Sequence, residues 1–473
     1  NSSDGNIAIG NEAGQGSSTL ANNTGDYNIS FGACALKGYT SGSNNIAIGR
    51  HAGCNVTSGG SNFLGGYHAG RCNETGSYNT LIGIGAGCGA TSGNNRVIIG
   101  NGAGSFASGV DGIFLGSYTG KCNTGTYNIA LGRSALKGSS TPGDNTGTRN
   151  IAIGCDAGID LTTGSCNLLM GTRAGYDLTT GSDNIFMGRY SGAGVVTGSY
   201  NIAVGQEAGK KITSGESNVY IGRQAGCDGT NASRNVALGY LAGAKLTSGS
   251  ENQLIGFVTG CKVCTGMANN MMGFGAGRMV TTGSCNVFIG QYAGHYTTTA
   301  SHNIAIGNCA GKHFCTSGYN IAIGNEAGCC ATPSSSGIFI GCRAGKGAAG
   351  KNTGFTNILI GASAGYCLES AQQNVALGDC AGKCLSSGGA NTLIGKEAGC
   401  GGTGGDFKFN TFLGCGAGKT QTSGRRNIAI GCNAVLPVLD GDDQIIFTGG
   451  YAYPAPGPIT WFAGCNNGGC TLV

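Results

Sequence analysis

Cysteine is the most abundant reactive side chain in this sequence, with 24 in 473 residues. Eleven recur in one narrow window of a short period: Cys54, Cys72, Cys88, Cys122, Cys227, Cys261, Cys329, Cys330, Cys367, Cys384 and Cys400. If successive turns of a coil set such residues ~4.8 Å apart, they fall inside the ~4.4–6.8 Å Cα window of a disulfide. Cys54, Cys72, Cys88, Cys367, Cys384 and Cys400 are therefore candidate disulfide cysteines. Cys415 and Cys432, which share another column, and Cys465 and Cys470 near the C-terminus complete the candidate set. Such staples would point to an oxidising compartment. Thiols buried as small apolar side chains are the competing reading.

Other chemistry is thinner. Glu12, Cys34, His51 and His68 have metal-ligand side chains on successive repeats, and exposed side chains are the simpler account of them. Cys261-x-x-Cys264 lacks a second pair, and Asp440-Gly-Asp442-Asp443 reads as a solvated turn before it reads as a Ca²⁺ loop. Gly273-Phe-Gly275-Ala-Gly277 imitates a nucleotide loop only because glycine is everywhere. No carboxylate pair of glycosidase type stands out. The expectation is a non-enzyme with no catalytic residue, metal or cofactor.

The elements that position these residues follow from composition and period. Gly supplies 96 residues, only 10% are charged, and 40% are hydrophobic, which excludes a disordered polyelectrolyte. Scarce Pro and no Gly-X-Y period exclude collagen. A net charge of +5 without a basic cluster is too dilute for nucleic acid. No apolar run approaches the ~18 residues of a membrane-spanning helix, so no membrane insertion is expected.

Asn-Ile-Ala-Ile-Gly stands at 6–10, 45–49, 150–154, 303–307, 320–324 and 427–431, and close variants fill the gaps. Counted at the final Gly there are 25 copies, mostly 17 residues apart. Asn occupies the fourth position before that Gly in 22 of 25 copies; Arg96, Gly112 and Gly337 depart. So short and glycine-rich a unit suits neither helical nor leucine-rich repeats. A short β-branched run closed by Gly and a Thr-Ser-Gly turn fits one coil of a β-solenoid. The sequence thus predicts an all-β solenoid (β-roll) of about 25 coils over residues 1–435, with an Asn amide ladder at one corner. Residues 436–473, rich in Pro and aromatics, read as a cap or docking tail. The repeats begin at residue 6 without a cap, which suggests that something upstream, or the end of another copy, covers the open edge. Longer repeats should loop out at 16–26, 138–148, 346–355 and 402–408.

The strand is apolar on both faces. With the two Ile turned inward, the middle residues form an outer stripe, and Phe114, Leu169, Phe186, Tyr220, Leu254 and Phe288 are the candidate subunit interface. The alternative is that this stripe is filled within one chain. A homo-oligomer, with a trimer around a common axis as the simplest form, follows from the first reading, and end-to-end filament growth is a further option.

The repeat resembles the Asn-x-Ala-Ile-Gly repeats of bacteriophage and marine-virus tail fibres, whose Ala-Gly and Thr-Ser-Gly elements it shares. It is also similar to the head repeats of trimeric autotransporter adhesins. The resemblance covers residues 6–435 and implies a trimeric β-solenoid fibre at an extracellular or virion surface, leaving viral against cellular origin open. A structural fibre or filament with attachment at an end or on loops is the first functional reading. A surface adhesin for a receptor or glycan is the alternative, and a polysaccharide-degrading tailspike ranks third.

Overall fold

A computed structural model of the chain describes residues 4–18, 22–141, 144–194, 197–330, 336–347, 354–402, 407–436 and 440–448, with the backbone of 460–466 and 469–472. Parts of all four expected loops, and of the Pro- and aromatic-rich tail, lie outside these residues. The chain divides into two compact units, Asn1–Asn235 and Val236–Val473. In the first, three-residue strands run from β1 (Ile7–Ile9) to β13 (Val219–Ile221). Each pairs in parallel with the next, first residue to first and third to third: between β11 (Ile185–Met187) and β12 (Ile202–Val204), Ile185 faces Ile202, Phe186 faces Ala203 and Met187 faces Val204. In the second unit the same pattern runs from β14 (Val236–Leu238) to β25 (Ile428–Ile430) and continues in parallel into β26 (Gln444–Thr448). There β27 (Thr460–Asn466) and β28 (Gly469–Leu472) turn antiparallel. The fold is an all-β solenoid with a repeat of about 17 residues, and the described residues contain no helix.

Glycine sets the strand length. At Gly205 the backbone turns to φ +129°, and an added Cβ would sit 2.7 Å from the Gly222 carbonyl oxygen of the next coil. An L side chain is therefore excluded twice, by the dihedral and by backbone packing against backbone. The same column repeats this arrangement at Gly32, Gly171 and Gly290.

The Asn column forms the expected ladder, and it is buried. Asn184 donates its backbone N–H and its Nδ2 to Oδ1 of Asn167 at 3.0 and 3.1 Å, and Nδ2 also reaches the Gly198 carbonyl at 3.1 Å. Asn201 and Asn218 continue the pattern on the next coils. Each amide satisfies the coil on either side, which is how a fully buried polar column is tolerated. Arg96 breaks the column without leaving it. Its Nε donates to Asn79 Oδ1 at 2.9 Å, and its guanidinium reaches Ala107 O and Asn73 Oδ1. Burial lowers its pKa to about 10. A second ladder runs through Thr hydroxyls, with Thr162 Oγ1 donating to the Thr179 carbonyl at 3.1 Å.

The strand faces are the reverse of the expectation that the Ile pair lies inside. Middle residues point into the coil, and first and third residues face out: β11 has its outer two residues half-buried and Phe186 fully buried. Phe114, Leu169, Phe186, Tyr220, Leu254 and Phe288 are therefore core residues of a single chain, each at 2% exposure or less, and not a subunit interface. The reason is room. The wall opposite the strand is Ala and Gly, which leaves a thin interior for the middle residue of each strand. That space is shared with the residue seven after the turn glycine, which the sequence reading did not place inside. Ala305 stands in the coil that buries Phe314, and Ala237 in the coil that buries Leu246. Tyr220, by contrast, shares its coil with Gly229. In these coils a large residue is paired with a small one, whereas Leu169 with Leu178 and Leu359 with Leu368 fill the coil from both positions.

Two outcomes test this core. Asn201→Ala leaves Asn184 Oδ1, Gly215 O and both Asn218 donors short of a partner. It should cost about 2–4 kcal/mol, read as faster hydrogen exchange in the coils on either side. Phe186→Asp or Phe288→Asp should disrupt the coil itself, with loss of the cooperative thermal transition seen by circular dichroism. Dissociation into intact subunits would contradict the inward assignment.

Candidate functional site

With the strand interior filled, chemistry is confined to the outer columns of the coils. The αL position two residues after the turn glycine holds Glu12, Cys34, His51 and His68 at φ 56–60°. They do not form a metal site. Glu12 accepts from Cys34 Sγ at 3.3 Å and from Lys37 Nζ at 2.8 Å, and these bonds hold its carboxyl below the usual range. His51 and His68 meet edge to face with ring centroids 5.2 Å apart. The Asp440–Asp443 turn is also committed elsewhere: Asp440 accepts from Thr422 and Ser423, and Asp443 takes Arg426 in a two-point contact at 2.6 and 2.7 Å. Cys261 and Cys264 each point a thiol at a backbone carbonyl, of Arg278 and Lys262.

Cys54, Cys72 and Cys88, then Cys367, Cys384 and Cys400, and Cys415 and Cys432 stand on consecutive coils as the spacing required, and no disulfide joins them. Cys54, Cys72 and Cys88 are partly exposed, as are Cys384 and Cys400, whereas Cys367, Cys415 and Cys432 are exposed. Cys367 and Cys384 share a column on adjacent coils. Cys465 and Cys470 face each other in the β27–β28 register, and their side chains lie outside the described residues. Burial, then the neighbouring Cys384, raises the Cys367 thiol, and burial raises Cys54, Cys88 and Cys400. Less thiolate is then present near neutral pH, so exchange is slowed. Mild oxidation should join Cys367 to Cys384 before it touches the isolated exposed Cys166 and Cys285, and the rate should climb as pH rises past the ordinary thiol range. Peptide mapping across a pH series reads both. Preferential modification of Cys166 would refute the geometry.

Two features were not anticipated, and both become visible once the repeats are aligned by the turn glycine. The position just after that glycine carries Tyr240, Phe257 and Phe274 on successive coils, stacked with centroids 5.1 and 5.2 Å apart. Edge-to-face contacts extend this line through Tyr292, His295 and Tyr296, and Tyr296 stacks on His313 at 4.8 Å. Phe257, Phe274 and Tyr296 are over two-fifths exposed, and Lys312 Nζ lies 5.7 Å from the Tyr292 and Tyr296 rings. The buried His295 donates Nδ1–H to the Gly275 carbonyl at 3.1 Å, and burial lowers its pKa. This is a continuous, cation-flanked aromatic strip. The second feature, at its end, is a cluster of His313, Cys329 and Cys330. There hydrogen bonds from Cys329 and His313 lower the Cys330 thiol, while the same pairing and burial raise Cys329.

Comparison of the chain with protein-family models, with curated proteins and with solved structures finds no match.

Proposed function

We propose that the chain is a structural subunit of an extracellular or virion-surface fibre or filament, in which the coils are scaffold and copies associate through the outer sheet face. The observation that carries this reading is the pair of outer strand columns. In the first unit Ile7, Ile9, Phe31, Ile48, Phe63, Val97, Ile99, Ile113, Ile153 and Ile221 are each 36–55% exposed. Together they expose apolar area on the order of the ~800 Å² per partner that a stable interface buries. That is more apolar surface than soluble monomers usually leave to water. The occupant favoured is a second copy of the chain, because parallel strands of matching pitch offer the same columns in the same spacing. Three chains around a common axis, as the repeat resemblance implies, is the stoichiometry to test.

The aromatic strip from Tyr240 to Tyr296 supports a second reading, an adhesin that stacks a glycan on exposed rings. Electron microscopy of the native assembly, with light scattering on the parent and on an Ile99→Lys/Ile153→Lys variant, tests the first reading. The parent should be oligomeric and the variant monomeric with an unchanged circular-dichroism spectrum. A parent that is monomeric at micromolar concentration overturns the reading. Glycan-array binding lost in Phe257→Ala/Phe274→Ala would favour the adhesin, and release of carbohydrate would favour a depolymerase.

A further inference from the structure

His313, Cys329 and Cys330 form a group found once among the described residues: their ligand atoms all lie within 4.8 Å of one another. The solenoid assembles it from distant sequence. His313 and Cys330 are 17 residues apart, so they occupy the same column on adjacent coils, and Cys329 precedes Cys330 on the same turn. Both cysteines are buried, and His313 is half-buried. The backbone fixes all three. His313 N–H donates to the Cys329 carbonyl at 3.1 Å, and Cys330 N–H donates to the Lys346 carbonyl of the following coil at 3.1 Å.

The His313 ring is held as well. Its Nδ1 lies 2.8 Å from the Cys329 carbonyl oxygen. A carbonyl can only accept, so Nδ1 carries the proton and Nε2 is the nitrogen that can turn to an ion. Metal-ligating histidines are oriented in this way, with one nitrogen anchored to a carbonyl or carboxylate and the other presented to the ion. Two sulfurs and one imidazole make a soft donor set. Such sets select Cu(I) and Zn(II) over the hard, oxygen-seeking Mg²⁺ and Ca²⁺.

We propose that His313, Cys329 and Cys330 bind one thiophilic cation, Cu(I) or Zn(II), clipping two adjacent coils together. Binding forms two metal–sulfur bonds and one metal–nitrogen bond and releases to solvent whatever protons the two sulfurs and Nε2 carry. Cu(I) is satisfied by the three donors, whereas Zn(II) retains a fourth position for water. Bond lengths of ~2.0–2.3 Å to the ion require the donor atoms to draw together by about 1 Å, which side-chain rotation supplies.

The test uses the full chain, reduced, and titrated separately with Zn(II) and, without oxygen, with Cu(I), each against a competing chromophoric chelator. One equivalent per chain should survive chelator that strips the other thiols, and X-ray absorption should show two sulfurs and one nitrogen around it. His313→Gln and Cys330→Ser should each weaken that equivalent roughly a hundredfold, while Cys285→Ser/Cys342→Ser, which removes exposed thiols elsewhere, leaves it. Retention by Zn(II) alone or by Cu(I) alone identifies the ion. The proposal fails if no equivalent survives in the parent, if His313→Gln keeps it, or if the absorption spectrum shows sulfur without nitrogen. That last measurement needs no variant, so it decides the matter even if a substituted chain does not fold.

Discussion

Every residue in these units has to tolerate its own counterpart one coil away, and the Asn column meets that condition most completely. A buried amide carries donors and an acceptor that water would otherwise satisfy, and leaving them unmatched would cost several kcal/mol per coil. Stacked in register, Asn167, Asn184 and Asn201 supply each other, with the spare Nδ2 hydrogen reaching a turn carbonyl. The bond therefore fixes register as well as depth, because a slip would orphan the column. Arg96 shows how narrow the tolerance is: a cation stands there only with Asn79, Asn73 and Ala107 as acceptors.

The turn glycines and the core follow from that spacing. Coils locked at one repeat per sheet step bring Gly205 and Gly222 backbone to backbone, so side chains at that column are excluded. The opposite wall of Ala and Gly leaves a thin interior, which the chain fills from the strand in some coils, from the far turn in others, and from both where Leu169 meets Leu178 or Leu359 meets Leu368. The outer strand positions are then left to β-branched residues, which suit a pleated surface but are poorly suited to water in such number. The filled core and the apolar outer face thus have one origin, the lack of interior volume.

The reactive groups share this logic. A column repeats a side chain wherever the sequence repeats it, so thiols, aromatic rings and imidazoles come into line along the coils without long-range design. Tyr240, Phe257 and Phe274 stack because they share a column, and His313 meets Cys330 for the same reason. Function added to such a scaffold needs only one or two substitutions per coil, since the backbone already provides the placement.

The repeat, its length, the parallel stacking, the Asn ladder and the turn glycines were all legible in the sequence, because each depends on a residue type recurring at a fixed offset. What the sequence left open was which face of the strand is inside. Ile-Ala-Ile is apolar on both faces, so alternation alone cannot orient it, and Phe186 or Tyr220 reads equally well as an outer stripe or a core. Only the tertiary structure decided this. It set the width of the coil from the Ala–Gly wall opposite and from the side chain seven residues beyond the turn, and that width admits one middle residue and not two flanking ones. The same holds for the thiols: spacing put Cys367 beside Cys384, but the convergence of His313 with Cys329 and Cys330 depends on where their side chains point as each coil turns, which a column of letters does not carry.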